Sequence, residues 1–208
     1  MIGAVVVGIA RVLSGVRPRW VGCAPSLRQR IYFANHTSHL DFAVLWATLP
    51  PTLRRLTRPV ASRDYWEPNA FRRYLAASVF RAVLVERHGD GGDRAARIER
   101  AQRTIELTAD ALGTDNSLIV FPEGTRGSGV DIAPFKSGIY YLARLRPDVE
   151  LVPAYLENLN RILPKGEVLP VPLLASVTYG TPLKVEPGEA CGAFLVRARA
   201  ALLALRRA

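Results

Sequence analysis

The sequence predicts an α/β fold: a single domain with a mostly parallel twisted sheet flanked by helices and an N-terminal amphipathic helix. Three observations predict it. Strand-like and helix-like segments alternate along the chain. One strand-like run, Ser117-Leu118-Ile119-Val120-Phe121, is apolar throughout, as in a strand covered on both faces. Charge gathers where such runs end, at Glu86-Arg87 and from Glu123 to Arg126, the edge at which open α/β sheets collect ligands. With 208 residues and 49% hydrophobic content, the chain can bury one substantial core, and no linker, charge block or repeat divides it.

At the start, Ile2, Val5, Val6, Ile9, Val12, Leu13 and Val16 recur at helical spacing, with Gly8, Arg11, Ser14, Gly15 and Arg17 mostly elsewhere on the wheel. Residues 1–17 are therefore expected to form a helix lying in a membrane interface, although packing on the protein's own core produces the same periodicity. Arg11 comes too early for a spanning helix of about 20 apolar residues, and no basic residue precedes the apolar part, so neither a transmembrane helix nor a signal peptide is expected.

Arg17-Pro18-Arg19 breaks that helix, and Trp20-Val21-Gly22 and Ile31 to Ala34 read as strands. Asp41 to Leu49 has helical length and spacing and stops before Pro50-Pro51. Arg54, Arg55, Arg58 and Arg63 then cluster around the short strand Pro59-Val60-Ala61, as a solvated or a membrane-facing patch. Asp64 to Ser78 reads as one helix carrying Tyr65, Trp66, Phe71 and Tyr74, followed by the strand Ala82 to Val85. After a loop at 89–93, Ile98, Ala101, Ile105, Ala109 and Leu112 mark the buried stripe of a helix that Gly113 ends. Pro134 to Gly138 leads into a helix through Leu145, and Leu151 to Tyr155 is a strand. A Pro-rich connection runs through Pro172 to a strand near Ser176 to Gly180 and a C-terminal helix with Phe194, Ala198, Leu202 and Leu205 inward.

The net charge of +10 implies an anionic partner: nucleic acid, an anionic membrane surface or a phosphorylated substrate. Three lysines among 28 basic residues leave 25 arginines, which suits bidentate phosphate or carboxylate contacts, although a genomic bias gives the same count. Cys23 and Cys191 lack Cys-x-x-Cys spacing, so neither a disulfide framework nor a zinc site is expected, and a reducing cytosolic setting is the default.

Asn35-His36-Thr37-Ser38-His39-Leu40-Asp41 carries two of the three histidines at a strand-to-helix turn. With Ser38 as N-cap, the helix starts at His39 and Asp41, at its third position, turns back toward His36. Asp41 then accepts from one imidazole nitrogen and leaves the other free as a base, the orienting logic of a Ser-His-Asp triad without its serine. Ser38-His39-Leu40-Asp41 equally satisfies a capping box, in which Asp41 only ties off backbone amides. A metal site from His36, His39 and Asp41 has no familiar ligand spacing. Ser38 as a nucleophile lacks a Gly-rich elbow.

Four blocks together, in this order, resemble the glycerolipid acyltransferase family of 1-acylglycerol-3-phosphate acyltransferases. They are Asn35-His36-x-x-x-x-Asp41, Leu84-Val85-Glu86-Arg87, Phe121-Pro122-Glu123-Gly124-Thr125-Arg126 and Val152-Pro153-Ala154, and the resemblance spans roughly residues 31 to 180. It implies that residues 18–208 are an acyltransferase domain, that His36 is the base on the acceptor hydroxyl with Asp41 orienting it, and that Arg87, Glu123, Gly124, Thr125 and Arg126 bind the acceptor phosphate. The implied reaction moves an acyl chain from acyl-CoA or acyl carrier protein to the sn-2 hydroxyl of 1-acylglycerol-3-phosphate, giving phosphatidate. It needs no metal or organic cofactor and takes place at the cytoplasmic side of the cell membrane.

An arginine fork and the amides of a Gly-containing loop independently suit a phosphate monoester. In the second block Arg81 and Leu84 stand where the family has glycine and phenylalanine, so Arg81 is expected to add a phosphate contact or reshape the pocket. Two rivals follow: an acyltransferase or transacylase for another lysolipid, and a non-catalytic module for anionic membranes or nucleic acid. The second leaves the histidine, carboxylate and arginine blocks without a purpose, so no nucleic-acid partner is expected.

Overall fold

The computed structural model describes residues 2–38, 40–86, 93–127, 129, 131–159 and 175–207. Its strands are β1 (Arg17–Trp20), β2 (Arg30–Ala34), β3 (Thr57–Ser62), β4 (Val83–Val85), β5 (Ser117–Val120), β6 (Glu150–Glu157) and β7 (Ser176–Tyr179). They form one seven-stranded sheet in the order β1-β7-β6-β2-β5-β3-β4. Every pair is parallel except β6 with β7. β2 lies between β5 and β6 and is buried at all five positions, which is why Arg-Ile-Tyr-Phe-Ala reads as an apolar run rather than an alternation.

The side chains of β2 alternate between two cores. Ile31 and Phe33 pack with Leu118 and Leu151 on one face. Tyr32 and Ala34 pack with Ile119 and Val152 on the other. The first face is covered by α6 (Arg94–Leu112), α7 (Gly138–Leu145) and α8 (Cys191–Ala204), the last with Phe194, Ala198 and Leu202 fully buried. The second is covered by α1 (Ile2–Ser14) and α2 (Asp41–Thr48), with short helices α3 (Pro51–Leu56), α4 (Arg63–Trp66) and α5 (Ala70–Tyr74) beside them.

α1 divides its apolar residues between two environments. Val7 is buried, and Gly3 packs beside Trp46 and Val79. Ile2, Val5 and Ile9 form an outward stripe, exposed by 44%, 58% and 54%. Among the described residues no helix is long and apolar enough to cross a membrane.

Several elements depart from the sequence expectation. The first helix does end before Arg17-Pro18-Arg19, at Ser14, but β1 starts at Arg17 instead of the expected Trp20, because β1 is the sheet's outermost strand, where a proline costs little. The helix expected over Asp64 to Ser78 is broken at Pro68: α4 stops at Trp66 and α5 restarts on Asn69, whose side chain accepts from the Phe71 and Arg72 N–H groups. The chain continues from α5 as a wider π-turn over Leu75–Val79.

Arg81 sits just before β4 with φ +50°, the left-handed region where glycine is at ease. The arginine therefore carries backbone strain at a position that glycine would occupy freely. Its guanidinium donates to the Arg55 carbonyl at 3.3 Å, at the N-terminal edge of β4 and away from the strand ends where charge gathers. The expectation that Arg81 contacts a phosphate is therefore replaced by a backbone explanation. Arg81→Gly should raise the unfolding free energy by about 0.5–1 kcal/mol in urea denaturation. A loss of stability would mean that the Arg55 contact outweighs the strain.

Candidate active site

At the C-terminal end of β2, Asn35 continues the ladder with its side chain. Its Nδ2 donates to the Leu156 carbonyl at 2.9 Å and its Oδ1 accepts from the Leu156 N–H at 2.8 Å. This fixes the chain direction where the backbone pairing with β6 stops, and the next residue, His36, leaves the sheet in a set orientation.

α2 begins at Asp41, with Leu40 as its N-cap and no side-chain cap. The expected start at His39 under a Ser38 cap is thus corrected, and His39 itself lies outside the described residues. The physical reason is that the side-chain bonds here close the turn before the helix: Ser38 Oγ accepts from the Leu40 N–H at 3.3 Å, and Asp41 reaches back to earlier amides. Asp41 Oδ2 accepts from the N–H groups of Thr37, at 2.5 Å, and Ser38, at 2.8 Å. The same oxygen meets His36 Nδ1 at 2.8 Å. Asp41 is fully buried, and its other oxygen, Oδ1, has no partner among the described residues. Tying off the amides of the turn and orienting the histidine therefore fall to one atom.

A carboxylate only accepts, so Nδ1 carries a proton, and in the neutral imidazole the lone pair is on Nε2. The imidazole stacks on Phe121, centroids 4.3 Å apart and planes 22° apart, and its side chain is 23% exposed.

The loop after β5 closes over this turn. Glu123 is buried, and its two oxygens accept from the His36 N–H at 2.7 Å and the Ala133 N–H at 2.9 Å. The His36 carbonyl accepts from the Gly127 N–H at 2.8 Å. Burial pushes the Glu123 carboxyl above the ordinary carboxylate range, opposed by these two hydrogen bonds and by the nearby His36 ring. The N–H groups of His36, Thr37 and Ser38 all end on Glu123 or Asp41, so this turn offers none of them to a ligand.

His36 opens onto a cleft of about 1600 Å³ at the C-terminal ends of β3, β4 and β5. One wall is Phe42, Val60, Ala61, Tyr65 and Trp66; the other runs along α6 and α7. The stripe of α6 expected to be core is only partly so: Leu112 is buried, but Ile98, Ala101 and Ile105 line the cleft. Apolar periodicity does not distinguish a core from the wall of a lipid-sized groove.

Gly124, Thr125 and Arg126 line the same cleft as His36, while the Glu123 carboxylate is turned under the loop. Arg87 lies outside the described residues; β4 ends at Val85, and Glu86 lines the cleft. Sequence reasoning passed over Lys136, which it placed only in a connecting segment. Its side chain crosses Gly124 so closely that a Cβ there would lie 2.8 Å from Nζ, and Gly124 has φ +70°. Arg126 and Lys136 have no ion-pair partner among the described residues. The available signal was scarcity: lysine is rare in this chain, and Lys136 follows the third block closely.

Residues 23–157, more than half of the chain, match the family model described as Acyltransferase. The chain belongs to the acyltransferase family. It is 28% identical over 187 residues to a 1-acyl-sn-glycerol-3-phosphate acyltransferase of Limnanthes alba, covering 88% of this chain and 60% of that protein. It is 30% identical over 162 residues to the Cocos nucifera protein of the same description, covering 76% and 47%. The chain thus spans about 60% or less of the length of these relatives. The crystal structure of the 1-acyl-sn-glycerophosphate acyltransferase of Thermotoga maritima superposes with a TM-score of 0.73 at 14% identity, over 99% of this chain and 79% of that one, so the fold is shared.

Proposed function

We propose that this acyltransferase-family chain transfers an acyl group from a thioester, acyl-CoA or acyl carrier protein, to the sn-2 hydroxyl of 1-acylglycerol-3-phosphate, giving phosphatidate. The observation that carries the reading is the buried Asp41 oxygen on His36 Nδ1 at 2.8 Å, in a cleft that also presents Arg126. The acceptor hydroxyl loses its proton to Nε2 as its oxygen attacks the thioester carbonyl. Asp41 stabilises the imidazolium that forms. Collapse of the tetrahedral intermediate breaks the C–S bond, and the departing thiolate takes the proton back from His36. The thioester brings its own leaving group, so two held substrates and a positioned base suffice without cofactor or covalent enzyme intermediate. The oxyanion must be met by donors outside the His36 to Ser38 turn, whose N–H groups are committed.

The acceptor phosphate is assigned to Gly124, Thr125, Arg126 and Lys136, with Arg87 expected from the adjoining strand end. Glu123 belongs to this group through the loop it anchors rather than through its carboxylate. Arg126→Lys and Lys136→Ala should each raise the apparent KM for the lysophosphatidate acceptor about tenfold with smaller changes in kcat, as for loss of one charged hydrogen bond. Unchanged KM in both would move the phosphate elsewhere. The apolar walls suit acyl chains, and α1's outward stripe suits peripheral attachment to the cytoplasmic leaflet.

The direct test is thiol release from acyl-CoA or acyl carrier protein with lysophosphatidate, screened against other lysolipids. Turnover restricted to another lysolipid, or to a lipid acyl donor, would replace the substrate assignment. Polyanion binding untouched by His36→Ala, with no turnover, would replace the enzymatic one.

A further inference from the structure

α5 is a helical turn that leaves its aromatic side chains uncovered. Ala70-Phe71-Arg72-Arg73-Tyr74 has no buried side chain, and Phe71 and Tyr74 are 67% and 45% exposed. A helix of a globular protein normally covers its apolar side chains with another element. Here two aromatic rings stand in the open with two arginines between them. The turn is held rather than frayed, because Asn69 caps it at 2.9 and 3.1 Å and Arg73 donates to the Glu67 carbonyl at 2.6 Å.

Its location gives this exposure a use. The Arg72 guanidinium lies 4.4 Å over the ring of Tyr65, and Tyr65 lines the cleft that holds His36. At the other end of the same rod, Val79 neighbours α1 at Gly3, and α1 carries the outward stripe Ile2, Val5 and Ile9.

The charge of the segment that carries α5 is one-sided: residues 54–81 contain seven arginines and two carboxylates, half of the chain's net +10. Some of these arginines crowd one another. Burial and then the charge of Arg11 hold Arg54 below its ordinary pKa, and burial and then Arg81 do the same to Arg58. Two rings on one turn offer far less than the roughly 800 Å² per partner that a stable protein interface takes. An interfacial membrane contact needs only a few apolar groups and nearby basic residues.

We propose that the first turn of α5 is a membrane-docking element, in which Phe71 and Tyr74 enter the interface of an anionic bilayer and Arg72 and Arg73 meet its headgroup phosphates. Docked this way, the Tyr65 rim of the cleft faces the leaflet. That this delivers a lysolipid to His36 rests on the acyl-transfer reading; the docking itself does not.

The test uses the full chain and vesicles of phosphatidylcholine with or without phosphatidylglycerol. Phe71→Ser with Tyr74→Ser should lower partition into the mixed vesicles about tenfold or more, and added salt should weaken wild-type binding. Val5→Ser with Ile9→Ser on α1 provides the comparison. Neither pair lines the cleft, so turnover of a short-chain acceptor below its micellar concentration should stay at the wild-type level.

Unchanged partition of the Phe71/Tyr74 variant would overturn the proposal, leaving α1 as the contact. An equal fall in turnover of the monomeric acceptor would also overturn it, since the rings would then serve the cleft. Wild-type chain that ignores vesicles but loses self-association on the double substitution would overturn it in favour of a protein interface. Reduced partition with no turnover in any form would sustain the docking and reject the acyl-transfer reading.

Discussion

His36→Ala is expected to reduce acyl transfer by about 10²–10⁴-fold with the fold retained, because a positioned base typically contributes that much and the lost side chain leaves a partly exposed site. Asp41→Asn is the sharper experiment. The asparagine carbonyl can occupy the place of Oδ2 and keep accepting from Thr37, Ser38 and His36. Its amide nitrogen then falls where Oδ1 has no partner, leaving a buried donor unsatisfied at about 1–3 kcal/mol. The imidazole keeps its orientation but loses the negative charge that stabilises its protonated form.

Thiol release should therefore drop about 10²–10⁴-fold with an unfolding transition that is lowered yet still cooperative. Stability alone does not decide the role of Asp41, since the capping function and the catalytic one use the same oxygen. Near-wild-type turnover in Asp41→Asn, with only the stability loss, would reduce Asp41 to a cap and sink the mechanism.

That shared oxygen also shows what could be read from residue order. The five-residue separation of His36 and Asp41 required a turn between them, and the turn is there. The capping rule placed the helix start two residues early: Ser38 Oγ does accept from the Leu40 N–H and Asp41 Oδ2 from the Ser38 N–H, but these bonds close the turn that precedes α2 rather than its first helical residues. The mostly parallel sheet and its apolar strands β2 and β5 were legible because two-face burial leaves an unbroken apolar run, whereas the strand order was not. Nor was the wall of the cleft. Ile98 and Ile105 have the periodicity of core residues, and only the tertiary gap between the α6 and α7 wall and the Phe42, Tyr65 and Trp66 wall makes them line a cleft. Arg81 looked like a chemical departure because sequence shows a side chain and not a φ of +50°.

Glu123 is the residue whose role the fold changes most, and its substitution is expected to separate anchoring from binding. Pairing of β2 with β5 carries both the His36 turn and the Glu123 loop to the same sheet edge, where the carboxylate bridges His36 N–H and Ala133 N–H. Glu123→Ala orphans two backbone donors at about 1–3 kcal/mol each, so a cooperative melt should fall well below wild type. Glu123→Gln keeps one acceptor and replaces the other by a donor facing an N–H group. It should lower kcat, because the His36 backbone is no longer pinned, while the acceptor KM changes little.

A carboxylate in contact with the acceptor phosphate would behave oppositely: its neutralisation would remove a repulsion and lower KM. The pH dependence provides a second readout. Burial raises the Glu123 pKa in the folded state, so the folded protein holds this proton to higher pH than the unfolded chain. Stability contributed at Glu123 is then present in acid and declines as pH rises from the ordinary glutamate value of 4.5 through the raised folded value. Glutamine does not titrate. The stability gap between wild type and Glu123→Gln should therefore shift in favour of glutamine as pH rises, in denaturation curves taken across that range. A gap independent of pH would mean that the carboxyl ionises as freely in the fold as in the unfolded chain, and that its two hydrogen bonds fully offset the cost of burying it.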